Sequence, residues 1–298
     1  MKILITGATG FIGSKVLNKL LESNAEITVL SSREIPGVHT VPSKNYQFDE
    51  NYLAEQGCAD AEVLLHIGAY IPKKGSEAND LEKTTGNISS TMALLETKWG
   101  ALKKIVFIST VDVYGSYDGV IDENSPTIPD TLYGWSKLYG EQMIKNFCQQ
   151  NALDCEILRL GHVYGRGEEV YRKVMPVMID NALHGNDIQI FGDGKAIRTF
   201  IHVNDVVNAI VNAVELDGSN LINVVGNEET TINELAEKIV KFSGADIKII
   251  HKDYSVPNRN LRFNNHRLMT LLLPRLTSFD DGLRDEISYM KEMVHDNI

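Results

Sequence analysis

The sequence is short of cysteine, of positive charge and of long apolar runs, and each shortage excludes a class of protein. Its three cysteines are an odd number without metal-ligand spacing, so neither a disulfide framework nor a cysteine-bound metal is expected. The 29 Lys and Arg stand against 40 Asp and Glu, and this net charge of −11 argues against binding to nucleic acid or to an anionic membrane. No apolar run approaches the roughly 20 residues that span a bilayer, and no secretory signal is expected. These shortages predict a cytoplasmic protein without a metal, nucleic-acid or membrane partner.

The first 13 residues carry the most informative pattern. A short apolar run at 2–6 predicts a buried strand, three glycines follow it, and 14–22 has the spacing of an amphipathic helix. Gly7 would allow the tight turn, Gly10 would let the backbone approach a pyrophosphate, and Gly13 would let the helix pack on the strand. Strand, glycine turn and helix together predict a dinucleotide site. The Gly-x-x-Gly-x-x-Gly spacing is one residue longer than the Gly-x-Gly-x-x-Gly form.

Apolar strands alternate with helical segments, which predicts an α/β fold with a parallel sheet covered on both faces. Such a Rossmann-type, doubly wound sheet binds ligands at the carboxyl ends of its strands, where the strand order reverses. We assign residues 1–165 to a dinucleotide-binding domain, to which the chain returns at about 199–216, and 166–298 mainly to a smaller α/β substrate domain. The predicted strands are 3–5, 27–30, 63–66, 105–109, 155–159, 199–203 and 247–250, and the predicted helices are 14–23, 51–57, 81–99, 133–150, 205–215 and 232–243.

Two further patterns point to proton transfer. Tyr133 and Lys137 stand four residues apart at the start of a predicted helix, a spacing that puts both side chains on one face. A lysine ammonium there would stabilise the phenolate and lower the pKa of Tyr133, although an exposed surface pair has the same spacing. Ser109 and Thr110 follow the predicted strand at 105–108, where a hydroxyl could bind a substrate oxygen and relay its proton to Tyr133.

These patterns occur together and in order, and the chain resembles the extended short-chain dehydrogenase/reductases that act on nucleotide sugars. In that family the longer glycine spacing is the expected form. The resemblance covers essentially the whole chain. The segments that carry it are 6–13, 63–69, 87–91, 109–115, 133–137, 159–165 and 191–205.

The resemblance implies a chemistry and a role for several residues. Tyr133 would be the acid/base, Lys137 would bind the nicotinamide ribose, and Thr110 would hold a sugar oxygen. The reaction would be hydride transfer between the nicotinamide and a sugar carbon, most often C4, and Arg198 would contact the nucleotide diphosphate. The predicted catalytic residues are Thr110, Tyr133, Lys137 and Asp112. The predicted cofactor-binding residues are Gly7, Gly10, Phe11, Ile12, Gly13, Ser31, Ser32, Arg33, Ile67, Gly68, Ala69, Asn87, Tyr133 and Lys137. The predicted substrate-binding residues are Tyr70, Thr110, His162, Arg198 and Arg259.

The end of the second predicted strand departs from the family pattern. NAD-specific members usually place there an acid that binds the adenosine ribose, whereas this chain has Ser31, Ser32 and Arg33. Two hydroxyls and an arginine could bind a 2′-phosphate, and no carboxylate would repel it. We therefore expect NADP as the cofactor, with NAD as the alternative if Arg33 points to solvent.

Two other departures concern the reaction and the nucleotide. The 4,6-dehydratases that resemble this chain have Asp-Glu after the threonine, whereas this chain has Val111 and Asp112, which weakens the dehydratase interpretation. Asp112 could serve as an extra acid or base, or it could be a solvated turn carboxylate. His162 replaces an asparagine that contacts the nucleotide in relatives, so the identity of the base stays open.

The sequence leaves three candidate functions open and predicts one mode of assembly. The chain could be an epimerase that keeps its cofactor, a 4-keto reductase that consumes NADPH, or a non-catalytic NADP sensor of the same fold. An apolar stripe of Tyr139, Met143 and Phe147, with a long helix predicted at 81–99, matches the four-helix contact through which relatives pair. We therefore expect a homodimer, although both stripes could instead be buried on the sheet.

Overall fold

The computed structural model describes residues 1–44, 46–117, 119–254 and 260–296. The strands are β1 (Lys2–Thr6), β2 (Glu26–Ser31), β3 (His39–Pro42), β4 (Val63–His66), β5 (Lys104–Thr110), β6 (Val120–Ile121), β7 (Asp154–Leu160), β8 (His162–Tyr164), β9 (Ile188–Phe191), β10 (Ile197–His202), β11 (Asn220–Val224), β12 (Glu229–Thr231), β13 (Ile249–Lys252) and β14 (Arg262–Phe263). The α-helices are α1 (Phe11–Leu21), α2 (Tyr52–Glu55), α3 (Leu81–Glu96), α4 (Leu132–Asn151), α5 (Val174–Leu183), α6 (Val203–Glu215), α7 (Ile232–Ser243), α8 (His266–Leu271) and α9 (Phe279–Asp296).

A seven-stranded sheet forms the centre of the molecule, in the order β11-β7-β5-β4-β1-β2-β3. Every neighbouring pair in it is parallel. Its central strands β4 and β5 are buried at every position, as expected for strands covered on both faces. α1 and α6 pack together on one face, and α3 and α4 pack together on the other. The predicted Rossmann-type α/β fold is confirmed.

The strand order reverses between β1 and β4, because the chain builds outward to β2 and β3 and then returns to the other side of β1. The connections that follow β1 and β4 lead to helices on opposite faces of the sheet, and a crevice opens at the carboxyl ends of these two strands. This crevice is where the glycine turn after β1 and the loop after β4 meet.

Two strands of the large sheet are absent from the sequence-based prediction. β3 spans four residues at the sheet edge, and β11 pairs with β7 at the opposite edge. Edge strands are short and need only one buried face, so their sequences lack the continuous apolar run that identifies β4 or β5. The strand predicted at 199–203 exists as β10, but it belongs to a separate three-stranded sheet with β8 and β12.

The second half of the chain has a core of its own. α5, α7 and α9 pack around buried side chains that include Met178, Leu235 and Leu283. Yet this half also completes the first, because α6 covers α1 and β11 extends the large sheet. The division of the chain at residue 165 into a dinucleotide-binding part and a substrate-binding part stays a prediction. No helix in the described part of the chain is both long and apolar enough to cross a membrane.

Candidate active site

A cavity of about 750 Å³ lies at the carboxyl ends of β1, β4, β5 and β7. It collects residues from the glycine turn, the loop after β4, the end of β5, the start of α4 and the β8 and β10 strands. Of the predicted site residues, those that line it are Gly7, Gly10, Phe11, Ile12, Gly13, Ile67, Gly68, Ala69, Thr110, Asp112, Tyr133, Lys137, His162 and Arg198.

The glycine turn brings two backbone segments into direct contact. Gly7 has φ +75°, and a Cβ atom there would lie 2.5 Å from the backbone nitrogen of Gly68 and 2.6 Å from its Cα. A Cβ atom on Gly13 would collide with the Gly7 carbonyl oxygen. Only glycine fits at these two positions, because the neighbouring atoms belong to the backbone and have little freedom to move.

Gly10 is the N-cap of α1, and no described side chain caps this helix. The N–H groups of its first turn therefore face the cavity without a side-chain acceptor, and the helix dipole adds partial positive charge at the same place. A pyrophosphate fits this arrangement, since phosphate oxygens accept hydrogen bonds from such a helix end. The turn thus has the features that a dinucleotide cofactor requires.

A chain of hydrogen bonds beneath the cavity fixes the loop after β4. The Gly68 N–H donates to the Thr6 hydroxyl oxygen (3.0 Å), which lies 2.8 Å from Nδ1 of the buried His66. Nε2 of His66 lies 3.1 Å from the Thr91 hydroxyl, which donates to the Asn87 carbonyl (2.9 Å). Every group in this chain has a partner if the Thr6 hydroxyl donates to Nδ1 and Nε2–H donates to the Thr91 hydroxyl. This arrangement makes His66 a neutral imidazole. Burial, with a smaller contribution from the Lys137 charge, lowers the pKa of His66 to about 3.

We expect this histidine to destabilise the fold as the pH falls below about 6.5. The unfolded chain binds a proton there and the folded chain does not, so the free energy of unfolding should drop by about 1.4 kcal/mol for each pH unit. Between pH 7 and pH 5 the loss should be about 2 kcal/mol. Urea unfolding at both pH values would measure it. His66→Gln should remove this part of the pH dependence, whereas the exposed His184→Gln should not, and equal slopes in both variants would contradict the assignment.

Tyr133 and Lys137 lie in the first turns of α4, whose N-cap Thr131 accepts a hydrogen bond from the Gly134 N–H (3.1 Å). Both line the cavity, yet Tyr133 is only 8 % exposed and Lys137 only 4 %. The Lys137 Nζ atom lies 4.2 Å from the centre of the Phe107 ring. The two side chains are thus buried in the cavity wall, and the alternative of an exposed surface pair is wrong.

The expected depression of the Tyr133 pKa is not what the chain produces. Burial raises the pKa of Tyr133, the Asp112 charge raises it further, and a hydrogen bond with Thr110 opposes both effects. Burial also lowers the pKa of Lys137 to about 7. The sequence argument was wrong in direction because helical spacing shows that two groups share a face and does not show how much water surrounds them.

Thr110 and Asp112 occupy the turn after β5. The Thr110 hydroxyl accepts the N–H of Asp112 (3.2 Å) and caps the short 3-10 helix Val111–Tyr114. Thr110, Val111 and Asp112 all line the cavity beside Tyr133. Ser109, the other predicted hydroxyl, donates instead to the buried Glu141 carboxylate (2.6 Å).

Asn87 and Tyr70 are not among the described residues that line the cavity. The Asn87 side chain accepts the Tyr70 N–H (2.7 Å) and donates to the Tyr70 carbonyl (3.1 Å) and to the Ser136 hydroxyl (3.2 Å). Ser136 in turn donates to the Tyr133 carbonyl (2.8 Å). In this arrangement Asn87 ties the loop after β4 to the start of α4.

The residues predicted to select the cofactor lie at the end of β2. The Ser31 hydroxyl accepts the Arg33 N–H (3.1 Å), and the side chains of Ser32 and Arg33 are exposed. None of the three is among the described residues that line the cavity. These residues lie at the end of β2, beside β1, where they could contact a part of the cofactor that extends beyond the crevice.

The predicted substrate-binding residues divide among three places. His162 on β8 and Arg198 on β10 line the cavity, and the His162 ring packs edge-on against Phe200 at 6.0 Å. The Arg198 guanidinium donates to the Ile197 carbonyl (2.8 Å). Arg259 lies outside the described residues, and Tyr70 contacts Asn87 as described above.

A cationic rim around the cavity escaped the sequence analysis. Lys73 and Lys74 line it from the loop after β4, and Arg172 and Lys173 line it from the segment before α5. Lys173 pairs with the buried Glu168 at 3.3 Å. The available signal was two dibasic pairs, Lys73-Lys74 and Arg172-Lys173, in an acidic chain. Such a rim attracts anionic ligands.

No cluster of three or more metal-ligand side chains occurs among the residues that the structure describes. The arrangement instead combines a helix N-terminus that no described side chain caps with a tyrosine, a threonine and a lysine in one cavity. This set can hold a dinucleotide, bind a substrate hydroxyl and transfer its proton.

Comparison with known proteins is in keeping with this geometry. The model of the NAD dependent epimerase/dehydratase family matches residues 3–226. The UDP-N-acetyl-alpha-D-glucosaminuronate decarboxylase of Bacillus cytotoxicus is 27% identical and matches over 99% of each chain. The dTDP-glucose 4,6-dehydratase of Streptomyces niveus is 29% identical over 98% of this chain and 93% of its own. The UDP-glucuronic acid 4-epimerase of Bacillus cereus, solved with UDP-glucuronic acid and NAD, is 28% identical, with a TM-score of 0.84 over 98% of this chain and 100% of its own.

These relatives act on nucleotide sugars by different reactions, and the resemblance inferred from the motifs is confirmed at the level of the family. The chain belongs to the NAD-dependent epimerase/dehydratase family of extended short-chain dehydrogenase/reductases.

Proposed function

We propose that this protein transfers a hydride at a sugar carbon, C4, of a nucleoside-diphosphate hexose or its 4-keto form. The observation that carries the proposal is the meeting of Tyr133, Thr110 and Lys137 in one cavity with the glycine turn. The solved 4-epimerase, with UDP-glucuronic acid and NAD bound, supports a ligand pair of this kind.

Each residue has a defined task in this reaction. A nicotinamide cofactor held by the glycine turn and Lys137 would supply the hydride acceptor or donor for the sugar carbon. Tyr133 removes the proton of the sugar hydroxyl as the hydride leaves, and Thr110 holds the same oxygen through its own hydroxyl. The Lys137 cation would favour the phenolate form of Tyr133 against the opposing effects of burial and of the Asp112 charge, and it would bind ribose hydroxyls. Arg198 and His162 would receive the nucleotide part, since both line the same cavity.

Two reactions follow from this geometry, and one experiment separates them. The purified protein is incubated with UDP-sugars and dTDP-sugars, and products are separated by chromatography while absorbance at 340 nm is followed. An epimerase interconverts two sugars without net change in absorbance. A 4-keto reductase consumes NADPH in proportion to the keto sugar. If no sugar is converted in either format, the proposal fails.

Two other functions have weaker support. A 4,6-dehydratase needs an acid beside the threonine, and this chain has the buried apolar Val111 there. A non-catalytic NADP sensor needs neither Tyr133 nor Lys137, and both are present in the cavity wall. Asp112 is proposed as an auxiliary acid or base, since it lies close enough to raise the Tyr133 pKa.

We propose NADP as the preferred cofactor, since the described residues at the end of β2 include no carboxylate and place exposed Ser32 and Arg33 there. NAD, bound in the solved 4-epimerase, is the alternative. Arg33→Asp is expected to weaken NADPH binding by about tenfold to a hundredfold, the value of one lost charge-assisted hydrogen bond. NADH binding should not weaken. Fluorescence titration of both cofactors measures this, with the exposed Arg275→Asp as the control, and equal losses for both cofactors would contradict the proposal.

We also propose a homodimer that pairs through α3 and α4. A groove between these helices is lined by apolar side chains that include Met92, Tyr139 and Met143. Met92 is 44% exposed and Tyr139 53%, which is unusual for large side chains on two packed helices. The mass in solution at micromolar concentration tests this: two chains are expected, and a single chain would contradict the pairing.

A further inference from the structure

A buried ion pair begins one helical turn after Lys137 on α4. Glu141 follows Lys137 by one turn of α4 and is 0 % exposed, and Arg159 on β7 is 3 % exposed. Arg159 holds the carboxylate with two hydrogen bonds, from Nε to Oε1 (2.9 Å) and from Nη2 to Oε2 (2.6 Å). Ser109 on β5 adds a third, from its hydroxyl to Oε1 (2.6 Å).

Three contacts leave the Glu141 carboxylate almost no freedom. The Arg159 guanidinium is itself fixed, because it stacks at 4.7 Å from the centre of the Tyr114 ring, whose hydroxyl donates to Asn223 (2.8 Å). The pair thus ties α4, β5 and β7 together at the depth of the cavity floor. The ion pair is expected to add little to the free energy of unfolding, because apolar side chains of the same volume often stabilise a fold equally well.

Lys137 lies on α4 one turn before this carboxylate, and both side chains are buried. The i, i+4 spacing brings the two side chains to the same face of α4. From β5, the Phe107 ring faces the ammonium at 4.2 Å, and from β4, His66 faces it as a neutral ring. Tyr133 precedes it on the helix, Asp112 approaches Tyr133 from the turn after β5, and Arg159 stands behind Glu141 on β7. Burial lowers the pKa of Lys137, and Glu141 is the group that raises it.

We propose that Glu141 is a positioning residue whose carboxylate, fixed by Arg159 and Ser109, favours the charged form of Lys137 near neutral pH. A buried lysine tends to lose its proton because desolvation disfavours the charged form. A neutral amine would neither stabilise a phenolate nor donate a charge-assisted hydrogen bond to a ribose hydroxyl. This inference rests on the proposed role of Lys137 in the reaction.

The test measures the titration of Lys137 directly. The full-length protein is treated with trace acetic anhydride from pH 5 to pH 10, and acetylation of the Lys137 peptide is quantified by mass spectrometry. In Glu141→Gln, which keeps the size and the acceptor oxygen, the midpoint should fall by about one pH unit or more. Glu141→Asp keeps the charge and should restore most of the shift. An unchanged midpoint in Glu141→Gln overturns the proposal.

The pH profile of turnover gives a second readout. Activity should be lost on the alkaline side at a pH lower by the same amount in Glu141→Gln, while KM for the sugar changes little. If Arg159 without its partner prevents folding, Glu141→Gln with Arg159→Met removes both charges, and the Lys137 midpoint should still move to lower pH. A wild-type midpoint in this variant also overturns the proposal.

The two levels of inference fail separately. Full turnover in Lys137→Met would reject the proposed role of Lys137 and with it that of Glu141, whereas the absence of any sugar conversion by the native protein would reject the proposed function. A normal Lys137 titration in Glu141→Gln would reject the role of Glu141 and leave the proposed function intact.

Discussion

Tyr133→Phe is expected to lower turnover by about 10²- to 10⁴-fold, the usual contribution of a positioned acid or base. Cofactor binding should persist, because phenylalanine keeps the ring that fills this buried position and loses only the hydroxyl. Turnover of nucleotide sugars and fluorescence titration of the cofactor measure the two quantities on the same preparation.

Tyr139→Phe is the matched control for this experiment, provided that its mass in solution matches that of the native protein, because Tyr139 lies in the proposed dimer contact. It removes a tyrosine hydroxyl from the same helix, outside the cavity, and should leave turnover within error of the native protein. If Tyr133→Phe also retains full turnover, the acid/base assignment is wrong. If the native protein and Tyr133→Phe both bind the cofactor and neither converts a sugar, the non-catalytic sensor would be the better explanation.

Gly7→Ala is expected to destabilise the fold and to weaken cofactor binding together. The left-handed backbone costs an alanine about 1–2 kcal/mol, and the collision with the Gly68 backbone should add about 1–3 kcal/mol more. Relief of that collision moves the turn away from the loop after β4, so the cofactor dissociation constant should rise roughly tenfold or more. Urea unfolding of the ligand-free protein and a fluorescence titration would measure both effects.

Gly37→Ala separates conformation from crowding. Gly37 has nearly the same φ, +77°, but a Cβ atom there meets nothing within 4 Å. It should therefore show the conformational cost alone and bind the cofactor normally. The explanation is wrong if the two variants lose equal stability and Gly7→Ala binds the cofactor as well as the native protein. In that case, the contact with the loop after β4 is not the reason that position 7 requires glycine.

The sequence predicted those parts of the site that depend on local chain geometry. Gly7, Gly10 and Gly13 are readable because a strand, a turn and a helix follow one another within 22 residues. Tyr133 and Lys137 are readable because four residues make one helical turn. Nothing beyond the neighbouring residues is needed to place these groups.

The sequence did not predict what depends on distant packing. The direction of the shift in the Tyr133 pKa is set by burial and by the Asp112 charge, neither of which can be predicted from spacing along one helix. The cations Arg172 and Lys173 reach the cavity because the segment before α5 folds back over α1, where Gly167 meets Phe11. β11 forms a strand because it pairs with β7, which lies far away in the sequence. The paired residues Asn220 and Glu156, for example, are 64 positions apart.

That pairing has a consequence for how the chain is made. Synthesis proceeds from the N-terminus at about 5–20 residues per second, so β7 leaves the ribosome seconds before its outer neighbour exists. During this interval the nascent chain carries an unpaired β7 edge and an α1 face without α6, both of which favour association with other chains. A protein cut after residue 165 would keep this state permanently. The dinucleotide-binding half is therefore complete only when synthesis has passed Val224.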